Sequence, residues 1–323
     1  MENIRLGVVG TGIIVRSMLA AVSRVNGIKA TAVCSRSPER GKSLGLEKVY
    51  TSLDDMLKDE DIDAVYIAVP NLLHYSHAMK VLVAGKHCLL EKPFCVREKE
   101  VDDLVELACR KKLILMETIP PAYGENIRFI QEALPGLGRI RLVMSNFSQY
   151  SSRYDKLKNG EKPYIFDPNY GGGSLMDINY YNIYLNAFLF GRPDKVSYIP
   201  NKMGDIDTSG ALTLQYGDFV SVNIGAKDTS GENFFIIEGE KGYLKVVDGT
   251  DSIPQVTVFK GDNVESSSKL NEEFRMDDEV EYFVRTFNTK DYAEAYDKLS
   301  VTKDAVWITE EARRSGGIVF PGD

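Results

Sequence analysis

Short runs of almost wholly apolar residues recur through the first third of the chain, each followed by a stretch with helical spacing. The runs are Ile4–Val9, Lys29–Cys34, a short one near Val49, Ala64–Val69, His87–Leu90 and Leu113–Glu117. Helical patterns begin near Ile13, Pro38, Leu53, His74, Arg97 and Glu125. Strands without polar alternation are those of a parallel sheet covered on both faces, so this order predicts a doubly wound α/β domain.

Past residue 136 the pattern changes. Arg139–Tyr150, Lys195–Pro200, Ala211–Tyr216, Phe219–Ala226, Asn233–Glu238, Tyr243–Val247 and Gln255–Phe259 read as strands. The turns Tyr216-Gly217-Asp218-Phe219 and Glu238-Gly239-Glu240-Lys241-Gly242 are hairpin punctuation. One helix is expected near Gly173–Phe190 and two more near Asp277–Asn288 and Leu299–Arg314, the last ended by Gly316. Ser266–Ser268 reads as a surface loop. The pattern predicts an α/β Rossmann domain with a parallel sheet over 1–121, and an α+β domain with an open, mainly antiparallel sheet over 122–323.

A chain of 323 residues accommodates two such domains. Its net charge of −8 argues against nucleic acid or an anionic membrane as partner, and no basic run reverses that. No apolar stretch approaches a membrane span, and the N-terminus lacks the pattern of a secretory signal. Cys34, Cys88, Cys95 and Cys109 are scattered without a C-x-x-C pair, as in a reducing compartment; a cytoplasmic protein is expected.

The first candidate chemistry is Gly10-Thr11-Gly12-Ile13-Ile14-Val15, between a strand and a helix. Gly10 permits a tight turn and Gly12 a close approach of backbone to a pyrophosphate, which the helix N-terminus attracts. Val15 stands where a third small residue is usual. The next strand ends Cys34-Ser35-Arg36-Ser37-Pro38-Glu39-Arg40, with no acid at its tip to accept from ribose hydroxyls. Ser35, Arg36 and Arg40 suit a 2′-phosphate instead, which favours NADP(H) over NAD(H); the alternative is a solvated basic turn.

Pro70-Asn71, followed by His74, ends another strand on the side where ligands bind in such sheets, making Pro70, Asn71 and His74 candidate cofactor contacts. His74 and His77 share a helix face, but nothing completes a metal-ligand set, so no metal is expected. Glu91-Lys92-Pro93 closes the following strand. Lys92 there can polarise a carbonyl oxygen and make a nearby phenol more acidic, or it is a solvated turn residue.

In the second domain, Gly171-Gly172-Gly173 reads as a flexible run leading into a helix that carries Asp177 and Tyr181 at i, i+4, hence on one face. Tyr181 is the candidate proton donor. The competing reading makes Asp177 a helix cap and Tyr181 a core aromatic, since Tyr180 and Tyr184 stand on the same helix.

Together these segments resemble the Gfo/Idh/MocA oxidoreductases over essentially the whole chain. The carriers are Gly10-Thr11-Gly12-Ile13, Ala68-Val69-Pro70-Asn71 with His74, Ala84-Gly85-Lys86-His87 leading to Glu91-Lys92-Pro93, and Gly172-Gly173 before Leu175-Met176-Asp177. The resemblance implies a Rossmann domain, an open-sheet domain that often forms a dimer face, and redox chemistry on sugars, polyols and related alcohols. It implies a catalytic role for Lys92 and places Glu91 and Pro93 at the cofactor. Tyr181, where inositol-dehydrogenase-like members carry histidine, is similar to the dihydrodiol dehydrogenase and glucose–fructose oxidoreductase branch. That branch regards this tyrosine as the proton donor and commonly uses NADP; Asp177 then supports the tyrosine or the substrate. Asn179 in place of glycine, and Pro120-Pro121-Ala122-Tyr123 in place of an aromatic-Arg-Phe stretch, depart from that branch near the expected substrate space.

The expectation is a homodimeric or larger NADP(H) oxidoreductase of a small sugar-like or diol substrate. Alternatives are a catalytically silent dinucleotide sensor acting on a protein partner, and a reductase of a larger conjugated substrate.

Overall fold

The computed structural model describes residues 3–268 and 276–323. The chain forms two compact units, Met1–Ile119 with Met276–Lys303, and Pro120–Arg275 with Asp304–Asp323.

The first unit holds a six-stranded sheet, β1 (Ile4–Val9), β2 (Ile28–Cys34), β3 (Lys48–Tyr50), β4 (Ala64–Ile67), β5 (His87–Glu91) and β6 (Leu115–Thr118). Every pair is parallel, in the order β3-β2-β1-β4-β5-β6. The helices are α1 (Ile13–Arg24), α2 (Pro38–Lys42), α3 (Leu53–Leu57), α4 (His74–Val83) and α5 (Glu98–Lys111). All four residues of β4 are buried, which is why the strand shows no polar alternation. The order reverses between β1 and β4, and the carboxyl ends of those strands bound the crevice where such sheets take their ligands.

The second unit begins with α6 (Glu125–Ala133), β7 (Ile140–Ser148), α7 (Ser152–Lys158), α8 (Ser174–Asp177) and α9 (Asn179–Phe190). A run of strands follows: β8 (Lys195–Met203), β9 (Ile206–Gln215), β10 (Val220–Ala226), β11 (Phe234–Gly239), β12 (Gly242–Val247), β13 (Gln255–Lys260) and β14 (Asn263–Ser268). They form an eight-stranded sheet, β14-β13-β12-β11-β7-β10-β9-β8, antiparallel except where β10 lies parallel to β7. Alternation builds its core: Phe235 and Ile237 of β11 face Ile130, Leu137 and Leu185, while Ile236 stays half-exposed on the other face. The chain closes with α10 (Asp277–Thr289) and α11 (Tyr292–Ser315). Among the described residues no helix is long and apolar enough to cross a membrane.

Four details differ from the sequence reading. Ser266–Ser268 belong to edge strand β14, not to a loop; all its residues but Ser267 are exposed, and Ser267 is held by Asn126 (2.8 Å). Strand β9 starts five residues before the apolar run, because Asp207, Thr208 and Ser209 each find hydrogen-bond partners inside the protein. The helix expected over 173–190 is broken at Ile178 into α8 and α9. Helix α10 and the first half of α11 belong to the first unit: Arg24 of α1 pairs with Asp277, and the Tyr296 hydroxyl donates to the Ala108 and Leu113 carbonyls.

Candidate active site

In the first unit, Gly10 turns the chain with φ 116°, and a Cβ there would collide with the Ala68 carbonyl oxygen at the end of β4. Gly12 begins α1 with open space where its Cβ would be, no side-chain cap and no acidic residue in the first turn. Those N–H groups and the dipole end therefore face outward for an anion. Thr11 and Ile14 are half-buried and Ile13 is 79% exposed on the same loop. Val15 is fully buried and packs against Gly10, so the helix docks without a third glycine. These residues fit a dinucleotide.

At the end of β2, Ser35 is buried, and its hydroxyl donates to the Ser37 carbonyl (2.9 Å) and accepts from the Ser37 N–H (3.2 Å). It shapes the turn. Arg36 and Arg40 are exposed, with the Arg40 N–H donated to the Ser37 hydroxyl. A third guanidinium, Arg16 of α1, reaches Ser43 beyond α2 (3.2 Å). The sequence reading missed it because it lies one helical turn beyond the glycines.

The carboxyl ends of β4 and β5 are tied together by His74. Its Nδ1 lies 2.9 Å from the Pro93 carbonyl oxygen and its Nε2 2.9 Å from that of Val69, and the side chain is 1% exposed. Burial drives its pKa down to about 4, so the ring is neutral at pH 7 and its single N–H donates to one of the two carbonyls while the other nitrogen packs against the second. His74 is thus an interior tie rather than the cofactor contact expected; both ring nitrogens face backbone. Pro70 and Asn71 are half-buried before it, Asn71 opening a 3-10 turn. His77 is held by the Leu73 carbonyl (2.9 Å), and no cluster of three or more potential ligands is placed to hold a metal among the described residues.

Glu91 ends β5 but turns inward. Its carboxylate accepts from Tyr66 (2.5 Å), Thr118 (3.0 Å) and the Lys92 N–H (3.2 Å), and burial raises its pKa. It supports from beneath the loop that the sequence reading set against the cofactor. Lys92 is half-buried, joined by a cis peptide to buried Pro93.

In the second unit the glycine run, expected to be flexible, is buried and closely packed. A Cβ on Gly172 would meet the Ile165 carbonyl, and Gly173, at φ 113°, leaves room only for Asp207. Asp207 is fully buried and accepts from the Leu175 N–H (2.6 Å) and the Tyr198 hydroxyl (2.8 Å), and burial raises its pKa to about 6. Asp177, at the end of α8, forms an ion pair with Lys227.

The break at Ile178 removes the simple i, i+4 relation, but α9 still separates its three tyrosines. Tyr180 and Tyr184 are core residues, 0% and 3% exposed, whereas Tyr181 is half-exposed with its ring tilted against Phe147 at 5.8 Å. Asn179 is fully buried, accepts from Asn182 (2.9 Å) and lies over Gly225, where a Cβ would have no room. It is therefore directed into the sheet rather than into substrate space. Pro120, Pro121 and Ala122 form a buried 3-10 turn, with Tyr123 half-exposed.

Lys227 was missed in the sequence. The signal was there: it ends the apolar strand Val220–Ala226 as Lys92 ends β5.

A parallel sheet in this order, with a glycine turn at its switch point, joined in one chain to an open antiparallel sheet, defines an NAD(P)-binding oxidoreductase. The chain belongs to the Gfo/Idh/MocA family: the profile of that oxidoreductase family's NAD-binding Rossmann fold matches residues 4–119, and that of its C-terminal domain residues 135–245. It is 30% identical to the scyllo-inositol 2-dehydrogenase (NADP(+)) of Bacillus subtilis over 99% of both chains. It is 26% identical to the trans-1,2-dihydrobenzene-1,2-diol dehydrogenase of Sus scrofa, again over 99% of each, in keeping with the branch that Tyr181 resembles. The fold is shared with a 3-ketoreductase of Actinomadura kijaniata solved with NADP and TDP-benzene, at a TM-score of 0.84 and 23% identity, covering 97% of this chain and 98% of that one.

Proposed function

We propose that the protein is an NADP(H)-dependent dehydrogenase or reductase of a small sugar-like or diol substrate, with Lys92 and Tyr181 at the reacting oxygen. The observation that carries this reading is the partial exposure of Tyr181: of three tyrosines on α9 it alone is not buried, at the start of the helix and just past Asp177. When bound, the nicotinamide supplies or accepts a hydride at C4. The Lys92 ammonium donates to the substrate oxygen and stabilises the negative charge that develops there. Tyr181 gives its phenolic proton to that oxygen in reduction and takes it back in oxidation. Asp177 accepts from a neighbouring substrate hydroxyl.

Gly10, Thr11, Gly12, Ile13 and Ile14 hold the pyrophosphate side; Pro70, Asn71 and Pro93 line the nicotinamide side, with His74 and Glu91 behind them. The exposed Arg36 and Arg40, at a strand end that carries no carboxylate, favour the 2′-phosphate of NADP. The half-exposed apolar face of the second sheet, with Leu142, Met144, Val222, Ile224 and Ile236, suits a homodimer contact. The four cysteines are unlinked, in keeping with a cytoplasmic location.

The test is an absorbance assay of NADP reduction with scyllo-inositol, D-xylose and trans-dihydrobenzenediol, and of NADPH oxidation with the corresponding carbonyl compounds. Wild-type protein turns over at least one of these, and Lys92→Ala and Tyr181→Phe each lose about a hundredfold or more in kcat. Near-normal turnover by either variant, or silence of the wild type on every compound, overturns the reading.

A further inference from the structure

We propose that Lys227 is a positioning residue for Asp177, and that the pair offers an oriented, charge-balanced carboxylate to one hydroxyl of a neutral polyol. The inference rests on the reading that Asp177 and Tyr181 face the substrate.

Helix α8 is a single turn of four residues and would not persist alone. Two charged residues of the sheet hold its ends. Asp207 of β9 binds the Leu175 N–H at the start, and Lys227, directly after β10, binds Asp177 at the finish. The Lys227 backbone is itself fixed, since its N–H donates to the Thr208 carbonyl (2.8 Å) and its carbonyl accepts from the Ser151 N–H (2.9 Å). Its ammonium lies 5.9 Å from the centre of the Phe166 ring. The carboxylate next in sequence, Asp228, is occupied by the Thr208 and Ser209 hydroxyls at 2.7 and 2.8 Å.

The pair is unequal in its surroundings. The Lys227 side chain is 8% exposed and that of Asp177 27%, so the ammonium is the interior member and the carboxylate reaches the surface. A buried ammonium requires a counter-charge, which fixes where Asp177 stands. Balanced in this way, the carboxylate presents a hydrogen-bond acceptor without a net negative field. That matches a hydroxyl of an uncharged polyol rather than an amine.

The experiment uses the best wild-type substrate of the panel above and compares Lys227→Met, Lys227→Arg, Asp177→Asn and the Lys227→Met/Asp177→Asn double variant, with folding checked by circular dichroism. Expected for Lys227→Met is a KM raised roughly tenfold or more with kcat changed by less than about threefold, NADPH affinity by fluorescence staying within about twofold. Lys227→Arg restores KM to within about threefold of wild type, and the double variant is no worse than Asp177→Asn alone. If Lys227→Met does not fold, Lys227→Gln takes its place with the same limits. A KM within about twofold of wild type, an equal loss in Lys227→Arg, or penalties that add in the double variant overturns the proposal. Lys92→Ala and Tyr181→Phe are run in parallel. If they keep turnover, the underlying reading has failed and this inference with it; if they lose turnover while Lys227→Met keeps its KM, this inference alone falls.

Discussion

The His74 imidazole lies 2.9 Å from the carbonyl oxygen of Pro93, and through it the segment after Lys92 is tied to the end of β4. Truncating this side chain removes the ring's one N–H donor from between the Pro93 and Val69 carbonyls and opens a cavity under the loop. His74→Ala is expected to lower stability by about 3 kcal/mol and turnover by about tenfold, with His74→Gln recovering part of both. Urea unfolding and steady-state kinetics on the same preparations check this. Wild-type kcat in a destabilised His74→Ala would show that the tie does not reach Lys92.

Buried titratable groups of opposite sign set the acid limb of stability. His74 and His87 are both held by burial at about 4, below the ordinary 6.5. As pH falls through 6.5 the unfolded chain takes up these protons and the folded chain does not, so stability is complete above 6.5 and is lost between 6.5 and 4. Each histidine contributes on the order of 3 kcal/mol to that loss. Asp207 acts the other way: its folded-state value of about 6 lies above the ordinary 3.8, so the folded chain binds the extra proton and gains stability as pH falls from 6 towards 4. Between pH 7 and pH 5, His74→Gln should therefore flatten the decline of the urea midpoint, and Asp207→Asn should steepen it. Parallel curves for both variants would contradict the assignment.

Gly10 has no tolerance for a side chain. Its φ of 116° is unfavourable for any L-residue, and the Ala68 carbonyl occupies the space of a Cβ. Gly10→Ala is expected to weaken NADPH binding by about tenfold or more through displacement of the loop. Gly12→Ala, with open space at its Cβ, should leave the apo fold intact and act only on the cofactor. Fluorescence titration of NADPH and thermal unfolding of the apo protein separate the two cases.

Arg36 is expected to discriminate between the two dinucleotides. Arg36→Ala should weaken NADPH binding by about tenfold or more and NADH binding by less than about threefold, because only NADPH carries the 2′-phosphate. Adding Arg16→Ala should widen the gap, since its guanidinium lies beside α2. Equal losses for both cofactors would remove the NADP assignment.

Both sheets were legible in the sequence because burial on one or two faces writes its period into the chain; β4 and β11 show the two patterns. Strand β14 and the start of β9 were not, since their polar residues are satisfied by partners distant in sequence, Asn126 for Ser267 and Asp228 for Thr208. At the candidate site, glycines and residue types could be read but not side-chain direction. Glu91 and His74 carry the right chemistry and point inward, and Asn179 fills the space over Gly225. Lys227, which pairs with Asp177, lies fifty residues away just past β10, beyond any local spacing rule.

Burial also predicts which member of the Asp177–Lys227 pair the fold depends on. Asp177→Asn strands an ammonium that is 8% exposed, and breaking a buried pair from that side is expected to cost about 3 kcal/mol or more. Lys227→Met leaves a carboxylate that still reaches water and adds an apolar side chain beside Phe166, so its stability should stay within about 1 kcal/mol of wild type. The order in function is the reverse of a purely structural role, because the stable variant is the one that loses substrate affinity. Urea unfolding of both variants at pH 7 decides it: a Lys227→Met less stable than Asp177→Asn would make the carboxylate the interior charge and reverse the roles assigned to the pair.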